Sequence, residues 1–184
     1  MSLSYGDLWL PMLVSAVVVF VASSVLHMVL TYHKADFKKL PGEDALAEAM
    51  RKTSPAPGRY MIPHCDFKEM KDPAVVERFA KGPVAQISVM PSGAPGVGKN
   101  LVQWFVFCLL VSFVCAYIAR HTLWSESGGM QIMRITGAVA FVGYGMSSII
   151  DSIWHAGPWP NTARALVDGL VYAVLTGLTF RLMV

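Results

Sequence analysis

The stretches Ile135–Ile153 (ITGAVAFVGYGMSSIIDSI) and Leu166–Phe180 (LVDGLVYAVLTGLTF) decide the fold of this chain. Each is apolar over a length that crosses most or all of a bilayer, so each predicts a membrane-spanning helix. Each also carries one acid, Asp151 in the first and Asp168 in the second. A carboxylate inside a membrane helix is costly unless it is paired or faces a wet cavity. The rest of the chain must therefore supply further membrane helices and polar surroundings for these acids.

The composition divides the chain into two kinds of sequence. Of its 184 residues, 54% are hydrophobic and 15% are charged, whereas soluble domains carry about 25% charged residues. Eleven of the fifteen Lys and Arg residues, and eight of the twelve acids, lie between residues 33 and 100. The net charge of +3 comes without an arginine-rich run, so no nucleic-acid partner is predicted. We expect apolar helices, with the lipid bilayer as their surroundings, and one polar insert.

Two further apolar runs complete an all-α integral membrane protein of four transmembrane helices. The first, Leu8–Tyr32, belongs to a segment of residues 1–32. We interpret it as a retained helix, because no Lys or Arg precedes it and no A-x-A cleavage site follows. The other three spans lie in a membrane region of residues 101–184, near 101–119, 135–153 and 165–182.

Residues 33–100 form the polar insert, which we predict to be a small α/β domain between the first and second spans. Lys34, Lys38 and Lys39 follow the first span, and the positive-inside rule places that side in the cytoplasm. With four spans, both termini are then periplasmic. The segments that predict helices and strands in the insert are Asp44–Lys52, Arg59–Cys65, Pro73–Lys81 and Val84–Met90.

Small residues recur every four positions along the fourth span, a pattern that lets helix backbones approach closely. They are Ala165, Gly169, Ala173 and Gly177. The third span carries a comparable row that becomes polar toward its inner end. Its members are Gly143, Ser147, Asp151 and His155. These rows predict that the spans pack in one bundle with a polar inner end.

A candidate intramembrane polar cluster contains Asp151, His155, Arg164, Asp168 and His27. Asp151 and His155 are four residues apart and share a helix face, and Arg164 and Asp168 repeat this spacing. One interpretation is a proton or ion relay, and the other is a structural tie between two helices. We favour the tie, because the acids lie near one membrane edge, whereas transporters usually need polar groups at mid-bilayer.

The candidates for metal ligands are His64, Cys65 and His33. Adjacent side chains on an extended segment point in opposite directions, so the residues around His64 could offer at most two ligands to one metal. His27, His33 and His155 are all expected on the cytoplasmic side, and the sequence leaves their convergence open. No cofactor is predicted, and a metal or haem site stays an alternative.

The stretch Gly93–Asn100 (GAPGVGKN) matches the phosphate-binding loop G-x-x-x-x-G-K except at its last position. Asn100 replaces the Ser or Thr hydroxyl that would bind magnesium. The helix that follows is apolar and belongs in lipid. We therefore predict no nucleotide binding.

Two stretches carry a resemblance to a known family: Gly82–Gly93 (GPVAQISVMPSG) running into Gln103-Trp104-Phe105, and Ser152–His155 (SIWH) followed by Asp168–Tyr172 (DGLVY) and Thr176-Gly177. They resemble a family of small bacterial inner-membrane proteins with no assigned activity. The resemblance implies a multi-pass protein of a bacterial inner membrane.

The sequence favours a non-catalytic accessory or scaffold subunit of a larger membrane complex, such as a respiratory or photosynthetic one, with other membrane subunits as partners. One alternative is a small transporter or proton-conducting protein that uses Asp151, His155 and Asp168. A second is a metal- or haem-binding membrane protein. No residue is assigned a catalytic role.

Cysteine labelling tests the predicted topology. A membrane-impermeant thiol reagent added to intact cells should miss Lys52→Cys and label Glu126→Cys, because the lysines after the first span place the insert in the cytoplasm. Permeabilised cells, in which both positions react, serve as the control. Labelling at position 52 with none at 126 would invert the orientation.

Overall fold

The structure, a computed structural model, describes residues 4–94, 96–124 and 127–184, and it is mostly helical. Glu126 and Pro95, which belong to the labelled loop and the phosphate-loop stretch, lie outside the described residues. The chain divides into two compact units. The helical unit comprises Met1–Phe37 and Gly96–Val184, and the polar unit comprises Lys38–Pro95.

In chain order the elements are α1 (Tyr5–Ser24), a π-helical turn (Val25–Val29), a 3-10 turn (Tyr32–Ala35), α2 (Glu43–Thr53), β1 (Gly58–Ile62), a 3-10 turn (Phe67–Glu69), α3 (Pro73–Lys81), β2 (Ala85–Val89), α4 (Val97–Thr122), α5 (Gly129–Phe141), a second π-helical turn (Val142–Met146), α6 (Ser147–Trp154) and α7 (Trp159–Met183). Four helical stretches are long and apolar enough to cross a membrane, as the sequence predicts. They are Gly6–Val29, Val97–Thr122, Gly129–Trp154 and Trp159–Met183.

The helices extend beyond the apolar runs that predict them. α4 begins at Val97 and α7 at Trp159, before the expected starts near residues 101 and 165. Pro160 lies in the first turn of α7, where its missing N–H leaves no unsatisfied donor. Hydropathy alone misses these polar first turns. The first span, by contrast, ends earlier than its apolar run predicts. Its helix ends at Val29, and Tyr32 belongs to a separate turn.

The polar unit contains the small α/β arrangement that the sequence predicts. β1 and β2 form a two-stranded antiparallel sheet in which Gly58 lies opposite Val89 and Ile62 opposite Ala85. α3 spans the predicted residues, and the side chain of Asp72 accepts a hydrogen bond from the N–H of Ala74 at 2.8 Å. β1 ends before the predicted Cys65, because Pro63 has no N–H to donate to the ladder.

Close helix packing forms the core of the helical unit, where α7 contacts α1 and α5, and α4 contacts α1 and α5. A Cβ atom placed on Gly169 would lie 2.5 Å from the Cα of Gly145, and one on Gly177 would lie 2.8 Å from the carbonyl oxygen of Met133. These contacts leave no room for a side chain. The row of small residues on α7 therefore brings it against the third span.

Short polar contacts add to this packing. The buried hydroxyls of Ser15 and Ser112 form a hydrogen bond between α1 and α4. The thiol of Cys115 on α4 donates to the carbonyl oxygen of Thr136 on α5 at 3.3 Å. Cys65, Cys108 and Cys115 are all free thiols. These two contacts between helices join uncharged groups.

Replacing Gly169 with alanine should destabilise the protein. The added methyl group meets backbone atoms that cannot move aside cheaply, so we expect a loss of about 1–3 kcal/mol. Gly98→Ala is the matched control, because the added Cβ meets open space within a helix and alanine favours helix there. The measurement is thermal unfolding in detergent. Equal unfolding temperatures for the two variants would contradict this packing.

Candidate metal centre

The chain turns back on the bundle directly after α1. The π-helical turn Val25–Val29 is followed by Leu30 in an extended conformation and then by the 3-10 turn Tyr32–Ala35. π-helical turns occur frequently at functional sites. This path stacks the rings of His27 and His33, with centroids 4.2 Å apart and planes inclined by 11°.

Both rings face Asp168, a buried residue of α7 that is 4% exposed. The Oδ2 atom of Asp168 lies 2.8 Å from Nε2 of His33 and 3.8 Å from Nε2 of His27. Its Oδ1 atom accepts a hydrogen bond from the hydroxyl of Tyr32. Burying a carboxylate is costly unless it is paired and hydrogen-bonded. These three side chains supply the pairing.

The hydrogen-bond partner of Nδ1 in each histidine determines whether Nε2 of the same ring has a free lone pair. Nδ1 of His33 lies 2.6 Å from Oδ2 of Asp36, and Nδ1 of His27 lies 3.1 Å from the carbonyl oxygen of Ser23. Both partners are acceptors, so each Nδ1 carries a hydrogen. In a neutral ring, Nε2 then presents its lone pair toward Asp168. Without a metal, the 2.8 Å contact between Nε2 of His33 and Oδ2 of Asp168 needs a hydrogen between these two atoms.

Asp36 is itself held by α7. Nε and Nη2 of Arg164 each lie 2.7 Å from Oδ1 of Asp36, and Asn161 donates to the backbone oxygen of Asp36 at 3.2 Å. Partial burial would raise the pKa of Asp36, but hydrogen bonds from His33 and Arg164, and the charge of Arg164, outweigh it and hold the pKa below its usual value. Asp36 is thus ionised and fixes the orientation of His33.

Tyr32 keeps its proton. Burial of its phenol raises the pKa, and the hydrogen bond to Asp168 and the nearby carboxylate charges raise it further. A protonated Tyr32 donates to one oxygen of Asp168 and leaves the other oxygen to the histidines. Oδ1 of Asp168 is therefore held by Tyr32, and Oδ2 faces the two histidines.

The available atoms form a donor set suited to a metal ion. Nitrogens of His27 and His33 and an oxygen of Asp168 lie within 4.8 Å of one another. Two imidazoles and a carboxylate bind zinc and other divalent first-row metals. Metal-bound histidines usually donate their second N–H to a carboxylate or a backbone carbonyl, as these two do. Three protein ligands would leave at least one coordination position open.

Two cavities share His27 and Asp168 as part of their walls. One cavity, of about 420 Å³, also includes His33, Asp36 and Asp151 in its lining. The other, of about 340 Å³, includes Trp104, Tyr144 and Tyr172. The candidate metal centre therefore borders both cavities.

The structure divides the expected polar cluster. Asp168 and His27 lie together, whereas Asp151 pairs with His155 at 3.2 Å, and their side chains are 67% and 41% exposed. Arg164 has the i, i+4 spacing with Asp168 but contacts Asp36, because the turn after α1 brings this carboxylate within its reach.

The expected metal ligands are also divided. His33 joins the candidate centre, whereas His64 and Cys65 belong to the polar unit. The backbone oxygen of His64 accepts a hydrogen bond from Arg78 at 3.0 Å. Within residues 4–94, 96–124 and 127–184, the metal-capable group of three consists of His27, His33 and Asp168.

Sequence reasoning missed Tyr32 and Asp36. Both lie within a short polar segment after an apolar helix, where the tetrapeptide Tyr32–Ala35 forms the 3-10 turn. The spacing of His33 and Asp36 by three residues was a usable signal, because that spacing places side chains together in a helical turn.

Comparisons of the chain with protein-family models, with curated proteins and with solved structures found no match. The resemblance to small bacterial inner-membrane proteins therefore stays a prediction.

Proposed function

We propose that this chain is a four-span protein of a bacterial inner membrane that binds a divalent first-row transition metal through His27, His33 and Asp168. One observation carries the proposal. One nitrogen of each imidazole and one carboxylate oxygen lie within 4.8 Å of one another, and Nδ1 of each ring already has an acceptor. Such outer hydrogen bonds orient metal-binding histidines and raise their basicity.

Membrane insertion is part of the proposal. Four stretches have the length and hydropathy of spanning helices. Large apolar side chains on them are exposed, such as Val21, Leu110 and Leu170, at 55%, 57% and 54%. Lipid would cover such a surface. The lysines after the first span support a cytoplasmic polar unit and periplasmic termini, which places the candidate metal centre near the cytoplasmic boundary.

The metal would serve a structural role. It would connect the end of the first span to α7 and take the place of the hydrogen between His33 and Asp168. Imidazole and carboxylate ligands bind metals in their deprotonated forms, so the metal affinity should fall as the pH is lowered. A fixed junction of this kind suits the accessory or scaffold subunit expected from the sequence.

The relay alternative receives less support from the geometry. Asp151 and His155 are exposed at one end, and the buried polar groups deeper in the described part of the bundle are uncharged, including Ser112, Thr136 and Thr176. A path for protons or ions usually has ionisable groups at mid-bilayer. Metal binding needs no such path.

Zinc titration tests the proposed function. Protein purified in detergent and stripped with a chelator should bind one Zn²⁺ per chain, and Asp168→Asn and His33→Ala should each weaken binding by about 100-fold or more, because each removes one of three ligands. His155→Ala and His64→Ala are matched controls with unchanged affinity. Calorimetry gives both quantities. Equal losses in the controls, or no binding by the natural protein, would refute the site.

Replacing Asp36 tests how His33 is held. Asp36→Asn keeps the shape but removes the negative acceptor, so we expect zinc affinity to fall about 10–100-fold. Asp151→Asn, an exposed acid of the same cavity, is the control. Because the pKa of Asp36 is lowered, its contribution is present at neutral pH and is lost only as the pH falls below the usual range of an aspartate. The two variants should therefore differ at pH 7, and similar affinities there would contradict a positioning role.

A further inference from the structure

The apolar cavity beside His27 and Asp168 has features that the proposed metal site does not use. It lies between the first span, α4, the second π-helical turn and α7, and its volume is about 340 Å³. Small-molecule sites begin at about 300 Å³ and combine apolar walls with a few polar groups. Both π-helical turns contribute to it, through His27 and Met28 in one and Tyr144 in the other.

Three aromatic rings form one wall. Trp104, Tyr144 and Tyr172 contact one another at centroid distances between 5.5 and 6.2 Å, and the rings of Tyr144 and Tyr172 are inclined by 77°. The indole N–H of Trp104 donates to the hydroxyl of Ser23 at 2.7 Å, which fixes that ring. Rigid edge-to-face aromatic walls favour a flat ring as their ligand.

The wall contains an unused hydrogen-bond donor. Tyr172 is 3% exposed, and its hydroxyl has no hydrogen-bond partner among the residues that the structure describes. A buried polar group without a partner is costly. The hydroxyl oxygen is itself buried, so a small shift of the Tyr172 side chain would be needed for a ligand carbonyl oxygen to supply the acceptor that it lacks.

Two residues that line the cavity belong to the exposed apolar surface of the helical unit. These residues, Met28 and Leu101, are 76% and 37% exposed on stretches proposed to cross the membrane. A ligand that enters there comes from lipid. It must therefore be lipid-soluble as well as flat and must carry a hydrogen-bond acceptor.

We propose that this cavity binds the head group of a lipid-soluble quinone. The ring would pack against Trp104 and Tyr144, one carbonyl would accept from Tyr172, and the isoprenoid chain would leave past Met28 into lipid. The hydrocarbon part of a lipid acyl chain fits the apolar walls but offers no acceptor for Tyr172. The proposal rests on membrane insertion but not on the metal.

Binding of ubiquinone-1 to the full chain in detergent tests the proposal. We expect saturable binding that persists after chelator treatment, and about 10-fold weaker binding by Tyr172→Phe and by Trp104→Leu, the loss of one well-placed contact. Trp9→Leu, at the other end of the first span, is the control and should bind normally. Tyr172→Phe should keep or raise the unfolding temperature without ligand, because it removes an unpaired hydroxyl.

Each failure has a distinct meaning. Absence of saturable binding, or equal affinity of Tyr172→Phe, Trp104→Leu and the natural protein, would overturn the quinone site. Displacement of ubiquinone-1 by phosphatidylcholine at equal concentration would also overturn it and would identify an acyl chain as the occupant. Loss of zinc binding in His33→Ala leaves this proposal intact, and alkaline extraction of membrane vesicles tests insertion separately.

Discussion

The burial of one carboxylate explains more of this structure than any other single feature. Asp168 lies within an apolar helix and is almost completely enclosed. An isolated charge in such a place would neutralise or destabilise the fold. The chain supplies Tyr32 and His33 from 135 residues or more away in sequence, so that both oxygens are hydrogen-bonded. The conformation of the turn after the first span brings the side chains of Tyr32 and His33 to Asp168.

Helix packing places that carboxylate. Gly169 follows Asp168 directly and lies against Gly145, so α7 packs tightly against the third span one residue from the acid. Since neither glycine has a side chain, the backbones set the distance and little adjustment is available. The small residues and the polar cluster are therefore connected. Tight packing of the glycines fixes the position of the Asp168 carboxylate relative to the third span.

The sequence was informative where a single segment determines the outcome. The four apolar stretches, the helix α3 and the two strand segments all follow from local patterns. The candidate metal centre could not be predicted in the same way, because its contacts join residues that are far apart in sequence. Arg164 is four residues from Asp168, yet it pairs with Asp36, 128 positions away. Spacing along a helix shows which side chains share a face, whereas partners from another segment depend on the path of the intervening chain.

The distance in sequence between the halves of the polar centre bears on how such a chain is made. Synthesis proceeds from the N-terminus, so His27 and His33 leave the ribosome long before Asp168, which is 135 residues after His33. In an inserted chain, these histidines would wait at the water boundary, where an unpaired imidazole is tolerated. The acid arrives last, on a helix whose insertion it opposes. The presence of His27 and His33 would then favour retention of α7 in the membrane. The polar centre would thus assist insertion of the chain as well as stabilise the folded protein.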